Sequence, residues 1–314
     1  MAALAQAPVA IPLDVFPDGL KTTGQHAPLY DHIKSFEQFP KEISGPTVWK
    51  AEEYRDAPEK WTHRFTAEEI AELSATADQF LANKIPLTGI SKVGLEMPYT
   101  LYMLVEIVVL TESRQFFHAD DSDIVGLLCI ARALEGGESD IVSSHHVYNT
   151  LAKERPDVLK TLTEPIWYFD RKGETSKGQE EYIRTSVIYA NGRRWDPYYV
   201  RSLSRFSEAG IVPPLSAAQV EALEVLEATC NRLSLHMILE VGDIQFLSNS
   251  HVLHARTAYT DHAPPTPRRH LMRLWLATPE HEGGWKLPFW DSNEKKRGGI
   301  QVDDQAPVAP LDAE

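Results

Sequence analysis

Positive charge is in short supply in this chain. Its 31 Lys and Arg against 45 Asp and Glu leave a formal charge of −14 over 314 residues. A nucleic-acid backbone is gripped by clustered basic residues, so no nucleic-acid partner is expected. Cysteine is scarcer still. Cys129 and Cys230 are the only two, both among apolar neighbours, which reads as buried thiols in a reducing compartment rather than a disulfide. Long apolar runs are also missing. The richest, residues 99–110 (YTLYMLVEIVVL), is shorter than the roughly 20 residues of a membrane helix and is broken by Glu106. It reads as a buried strand or helix. The first eight residues lack the basic and apolar regions of a secretion signal. These absences lead us to expect a cytoplasmic protein that touches no membrane, with room for a homo-oligomer.

What remains is an ordinary globular composition, 43% hydrophobic and 24% charged, in a length that suits one large domain or two small ones. Residues 1–60 are rich in Pro and charge without a clear period, and are expected to form an extended arm. Residues 61–279 are expected to form the main domain, and 280–314 a peripheral, mobile tail. Thr66 with Glu69, and Ser216 with Gln219, have the spacing of capping boxes. Each predicts a helix, the first with a stripe of Ile70, Leu73, Ala77, Phe80 and Leu81, the second with Val220, Leu223, Leu226, Cys230 and Leu233 facing inward. Short strand-like segments follow at 124–131, 141–143, 166–170, 185–189, 235–239, 244–247 and 269–277. Many short strands with two helices predict a mainly β core flanked by helices, not an alternating parallel sheet.

The candidate chemistry begins at Phe116-Phe117-His118-Ala119-Asp120. On a strand, residues i and i+2 share a face, so His118 and Asp120 present an imidazole and a carboxylate side by side. That is two thirds of the two-His-one-carboxylate triad that holds Fe(II) with positions left open. With 12 His and 45 acidic residues, chance alone gives about two such triplets. Asp121 and Asp123 crowd the same place, but parity turns them to the other face.

Downstream stand Val252-Leu253-His254-Ala255-Arg256 and Arg269-His270-Leu271-Met272-Arg273-Leu274-Trp275, and upstream of both the run Gly136-Gly137-Glu138-Ser139. In this order the elements resemble the taurine dioxygenase-like family of Fe(II)/2-oxoglutarate-dependent oxygenases, most of all its fungal members. The resemblance implies a double-stranded β-helix (jelly-roll) core and Fe(II) held by His118, Asp120 and His254, with 2-oxoglutarate and O₂ as co-substrates. It further implies that Arg273 clamps the distal carboxylate of 2-oxoglutarate, with a hydroxyl bond from Ser139, and that Arg269 meets an acid group of the substrate. His251 is left as a surface or loop residue, and His145-His146 as the start of a turn or helix. Trp167, Tyr168 and Trp195 have the character of a pocket wall, but aromatics in strands are more often plain core.

One departure from the family is evident. Between Leu87-Thr88-Gly89-Ile90 and Gln115 the family has several dozen more residues, including pocket-lining strands. Residues 91–114 are therefore expected to lack partner strands and to be the weak point of the molecule. The rival functional readings are a catalytically silent barrel that binds or regulates, and a barrel holding Zn(II) or Ni(II).

Overall fold

The computed structural model describes residues 35–83, 102–108, 112–120, 122, 124–170, 182–189, 192–193, 207–249, 251–277, 296–297 and 300–301. In chain order the first strands are β1 (Tyr102–Val108), β2 (Gln115–His118), β3 (Ile124–Ala131), β4 (Glu135–Gly136) and β5 (Ser139–Ser143). Next come β6 (Trp167–Asp170), β7 (Tyr182–Thr185), β8 (Ile188–Tyr189) and β9 (Gly192–Arg193). The last long group is β10 (Leu235–Met237), β11 (Ile244–Ser248), β12 (Val252–Arg256), β13 (Tyr259–Thr260) and β14 (His270–Ala277). A hairpin of β15 (Lys296–Arg297) and β16 (Ile300–Gln301) lies beside β1 and β14. The helices are α1 (Ala67–Asn83), α2 (Ser144–Glu154), α3 (Pro156–Thr163) and α4 (Ala217–Leu233).

Two four-stranded antiparallel sheets form the centre, in the orders β1-β14-β3-β11 and β10-β5-β12-β2. They enclose one cavity between them, lined from both sides. This is the expected jelly-roll core with flanking helices. Alternation decides which side chains meet in the cavity. On the second sheet, His118, His254 and Arg256 point inward, while Phe117, Leu253 and Ala255 point to a helical layer. There they join Leu151, Leu159, Leu162 and Leu226 from α2, α3 and α4 in one apolar cluster. Fully burying such a side chain contributes roughly 1.5–3 kcal/mol, so the layer stiffens the sheet that carries both histidines.

Local chemistry sets the helix starts. Ser216 and Gln219 close a reciprocal capping box before α4, and Thr66 and Glu69 do the same before α1. Ser143 accepts the amide of His146 and donates to the Thr47 carbonyl, capping α2 and tying residues 35–60 to it. Pro156 opens α3, directly after Arg155 ends α2. Neither α2 nor α3 is foreseen by the sequence reading beyond a possible start at Ser143-Ser144, because their apolar positions are few and spaced over short helices.

Two expectations need correction. Ile70 is 51% and Val220 41% exposed, so the inward stripes of α1 and α4 do not include them. The side chains of Phe80 and Leu81 lie outside the described residues. The segment expected to lack partners has one: β1 pairs with β14 in a seven-residue antiparallel register, from Tyr102 opposite Ala277 to Val108 opposite Leu271. The rest of 91–111 lies outside the described residues. Trp167 belongs to the core, not to a pocket wall: it is wholly buried and donates its indole N–H to the Thr161 carbonyl. Tyr168 does not line the cavity, and Trp195 is outside the described residues.

Candidate metal centre

β2 and β12 are antiparallel neighbours, and their register sets His118 opposite His254. The two rings lie 4.1 Å apart, centroid to centroid. Asp120 sits two residues past the end of β2 and turns its carboxylate to both: Oδ1 is 3.6 Å from His118 Nε2, and Oδ2 is 3.6 Å from His254 Nε2. One donor atom from each of the three residues lies within 4.8 Å of the others. All three side chains are almost wholly buried.

The donor set suits a first-row divalent metal. Two imidazole nitrogens and one carboxylate, with no thiolate among them, match the facial arrangement that binds Fe(II) and leaves neighbouring positions open. His118 Nδ1 lies 2.9 Å from the Phe116 carbonyl oxygen, so that nitrogen carries the proton and Nε2 keeps its lone pair for a metal. The Gln115 amide nitrogen stands 3.2 Å from that same Nε2.

Burial alone pushes the Asp120 carboxyl upward. The charges of Arg273, His254 and His118 and the hydrogen bond from Trp275 outweigh it and hold the group below its ordinary value. Trp275 Nε1 donates to Asp120 Oδ2 at 2.9 Å, and Arg273 Nη1 is 3.8 Å from Oδ1. Both residues come from β14 on the facing sheet, so the triad is completed from one sheet and held from the other.

From the triad the cavity runs along β5 and β12. Ile141 is opposite His254, and Ser139 is opposite Arg256 one step further on. Ser139 Oγ donates to Gln245 Oε1 at 3.1 Å, a buried bond that links the two sheets. Beyond Ser139 the chain passes Gly137, whose carbonyl accepts from Arg269 Nη2 at 3.1 Å. Gly137 has φ +75°, and a Cβ there would stand 2.6 Å from Arg269 Nε, so only glycine allows this crossing. Burial pushes the Arg269 guanidinium below its ordinary range, without making it neutral at any physiological pH. Arg268, by contrast, is exposed and pairs with Asp261 and Glu112.

The residues expected to hold metal, co-substrate and substrate therefore converge on one cavity: His118, Ser139, His254, Arg269 and Arg273 line it, with Asp120 against the histidines. Asp121 and Asp123 lie outside the described residues. His251 sits in the turn between β11 and β12, and His145 faces Thr47 at 2.7 Å from the first turn of α2. Three residues around the site were missed. Arg256 lines the cavity, Trp275 bonds Asp120, and Gln245 bonds Ser139. Parity from His254 and from Arg273 points to the first two, and a Gln inside the apolar strand 244–247 could have flagged the third. Cys129, which lines the cavity, and Cys230 are buried thiols without a disulfide. Among the described residues, no helix is long and apolar enough to cross a membrane.

Known proteins resemble this chain over its central half. A taurine hydroxylase-like protein, SAT17, of Stachybotrys chartarum is 35% identical over 175 residues, 55% of this chain and 44% of that protein. FR-33289 synthase of Streptomyces rubellomurinus is 33% identical over 177 residues, 55% of this chain and 51% of that one. The chain thus spans about half the length of the curated relatives it matches. Among solved structures, an asparagine oxygenase in complex with Fe(II), hydroxyasparagine and succinate superposes with a TM-score of 0.40 at 17% identity, covering 52% of this chain and 50% of that one. The non-heme iron oxygenase OrfP in complex with Fe gives 0.40 at 18%, covering 55% and 54%. Those scores are too low to bear on the fold by themselves. The family description "Taurine catabolism dioxygenase TauD, TfdA family" matches residues 97–275, more than half of the chain and every residue that lines the cavity. The chain belongs to that family.

Proposed function

We propose that the protein is an Fe(II)- and 2-oxoglutarate-dependent dioxygenase of a small organic substrate. The observation that carries this reading is the convergence of His118, Asp120 and His254 within 4.8 Å at one end of a cavity that also holds Arg269 and Arg273. Iron(II), with 2-oxoglutarate and O₂ as co-substrates, would supply an oxidation of the substrate coupled to release of succinate and CO₂. The chain's own part is to present two imidazole nitrogens and one carboxylate, to hold that carboxylate through Arg273 and Trp275, and to wall the space with Leu127 and Leu271.

The geometry favours exchanging the two arginine roles expected from the sequence. Arg273 is within 3.8 Å of Asp120, too close to the triad to hold the far end of a chelated dicarboxylate. Arg269 is four residues away, about 13 Å along an extended chain, at the end of the cavity reached past Ser139 and Gly137. Ser139 and Arg269 therefore suit the distal carboxylate of 2-oxoglutarate. Arg273 suits an acidic group on the substrate, as a planar bidentate donor beside the metal. The silent-barrel alternative gains no support, since each ligand position keeps its donor.

Anaerobic addition of Fe(II) and 2-oxoglutarate tests the reading. A weak visible charge-transfer band is expected, because it arises only when both bind as a chelate. Its absence in protein shown to be folded, or its replacement by tight Zn(II) or Ni(II) binding without 2-oxoglutarate, would overturn the proposal.

A further inference from the structure

Two cations that line this cavity, Arg256 buried and Arg269 partly buried, share one aromatic ring. The Arg256 guanidinium carbon lies 4.7 Å from the Tyr259 ring centroid, and that of Arg269 lies 5.1 Å from it. Both are within the range of a cation–π contact, which strengthens as the pair is desolvated. Tyr259 itself is 8% exposed. Its position is fixed by backbone: its amide donates to the Glu112 carbonyl, and β13 pairs Tyr259 with Gly136.

Arg269 has little else to hold it. Among the described residues no carboxylate pairs with its guanidinium. It donates to the Gly137 carbonyl and crosses over Gly137, where an added Cβ would meet both Arg269 and, at 3.4 Å, the Tyr259 Cβ. The side chain thus passes between glycine backbone and the tyrosine. Arg256 is anchored separately, by donating to the Thr257 and Ser113 carbonyls. A ring that attracts cations without neutralising them keeps the charge of Arg269 available to an anion. A carboxylate in the same place would cancel it.

We propose that Tyr259 is a positioning residue for the co-substrate: its ring holds the Arg269 guanidinium in the orientation that receives the distal carboxylate of 2-oxoglutarate. This rests on the dioxygenase reading above and on Arg269 as the carboxylate base. Tyr259 touches neither metal nor co-substrate, so its effect belongs to 2-oxoglutarate affinity and not to metal affinity or to the rate at saturating co-substrate.

The test is anaerobic calorimetry of 2-oxoglutarate binding to the Fe(II)-loaded protein, with metal affinity measured in parallel. Tyr259→Phe, which keeps the ring, is expected to bind 2-oxoglutarate nearly as wild type does. Tyr259→Leu is expected to bind about tenfold more weakly with unchanged metal affinity. Fluorinated phenylalanines at position 259 keep the shape while draining the ring face, and cover the case in which the leucine variant fails to fold. Their dissociation constants for 2-oxoglutarate are expected to rise with each added fluorine. A flat series, or a leucine variant that binds as wild type does, overturns the role of Tyr259 alone. Wild-type protein that binds Fe(II) but no 2-oxoglutarate overturns the parent reading, and this one with it.

Discussion

The indole of Trp275 donates to Asp120 Oδ2 across 2.9 Å, so a strand of one sheet orients the carboxylate that faces two histidines of the other. Arg273 attends the second oxygen at 3.8 Å. Trp275→Phe removes the donor and keeps an aromatic ring beside Arg273. Its Fe(II) affinity is expected to fall about tenfold, the lower end of what loss of a ligand's supporting hydrogen bond costs. A metal titration that superposes on wild type would show the bond to be incidental.

Replacing His118, Asp120 or His254 with Ala is expected to abolish the Fe(II)–2-oxoglutarate charge-transfer band and succinate formation, with far-ultraviolet circular dichroism preserved. Each variant removes one of the three donors of the facial set. Near wild-type succinate production by any one of the three variants would refute the ligand assignment.

Arg269→Lys and Arg273→Lys separate the two arginine roles. The first is expected to raise the 2-oxoglutarate requirement about 100-fold, as loss of a bidentate charge-assisted pair implies. The second should spare 2-oxoglutarate and weaken binding of an acidic substrate. The opposite pattern would restore the assignment read from the sequence.

Leu162 is wholly buried where α3 meets α4. Leu162→Ala is expected to lower unfolding free energy by about 2–5 kcal/mol in urea titrations, with the metal centre intact in the folded fraction. A loss under 1 kcal/mol, far below that range, would mean the helical layer repacks freely.

Arg155 joins the helices by its contacts with Asp157 and Glu221, both side chains exposed. The hydrogen bond from Arg155 is the largest influence on Asp157 and lowers its pKa from 3.8 to about 2. A depressed carboxyl stabilises the fold above its unfolded value, and that stabilisation is lost as pH falls through the folded one. Arg155→Gln is expected to lower Tm by about 1–2 °C at pH 6, as for an exposed pair. That difference should narrow between pH 3.8 and about 2. A difference independent of pH would assign the effect to packing.

How much of this was legible before the structure depends on which physical rule each residue obeys. The pairing of His118 with Asp120 follows from strand parity, His254 and Arg273 follow from the order of motifs shared with the family, and the boundaries 124–131 of β3 match the apolar run. Asp120 was found although the strand stops at His118, because the next two residues carry the side chain back toward the histidines. The arginine roles were not legible. Parity sets Arg269 and Arg273 on one face, but says nothing of how far along the strand the metal lies. The register shift between His270 and Leu271 hides it further. The partner of β1 was missed for a related reason: strand pairing is non-local, and nothing within residues 99–110 names β14.

The β1–β14 pairing has a practical meaning for anyone redrawing the boundaries of this gene product. β14 carries Arg273 and Trp275, and its two sides are bonded to β1 and β3. A chain started downstream of Val108 would keep every metal ligand and still uncover one whole side of the strand that steadies them. Exon or expression boundaries are therefore best set upstream of Tyr102. A deletion that seems remote from the chemistry in sequence would act directly on the arginine and the indole that hold Asp120.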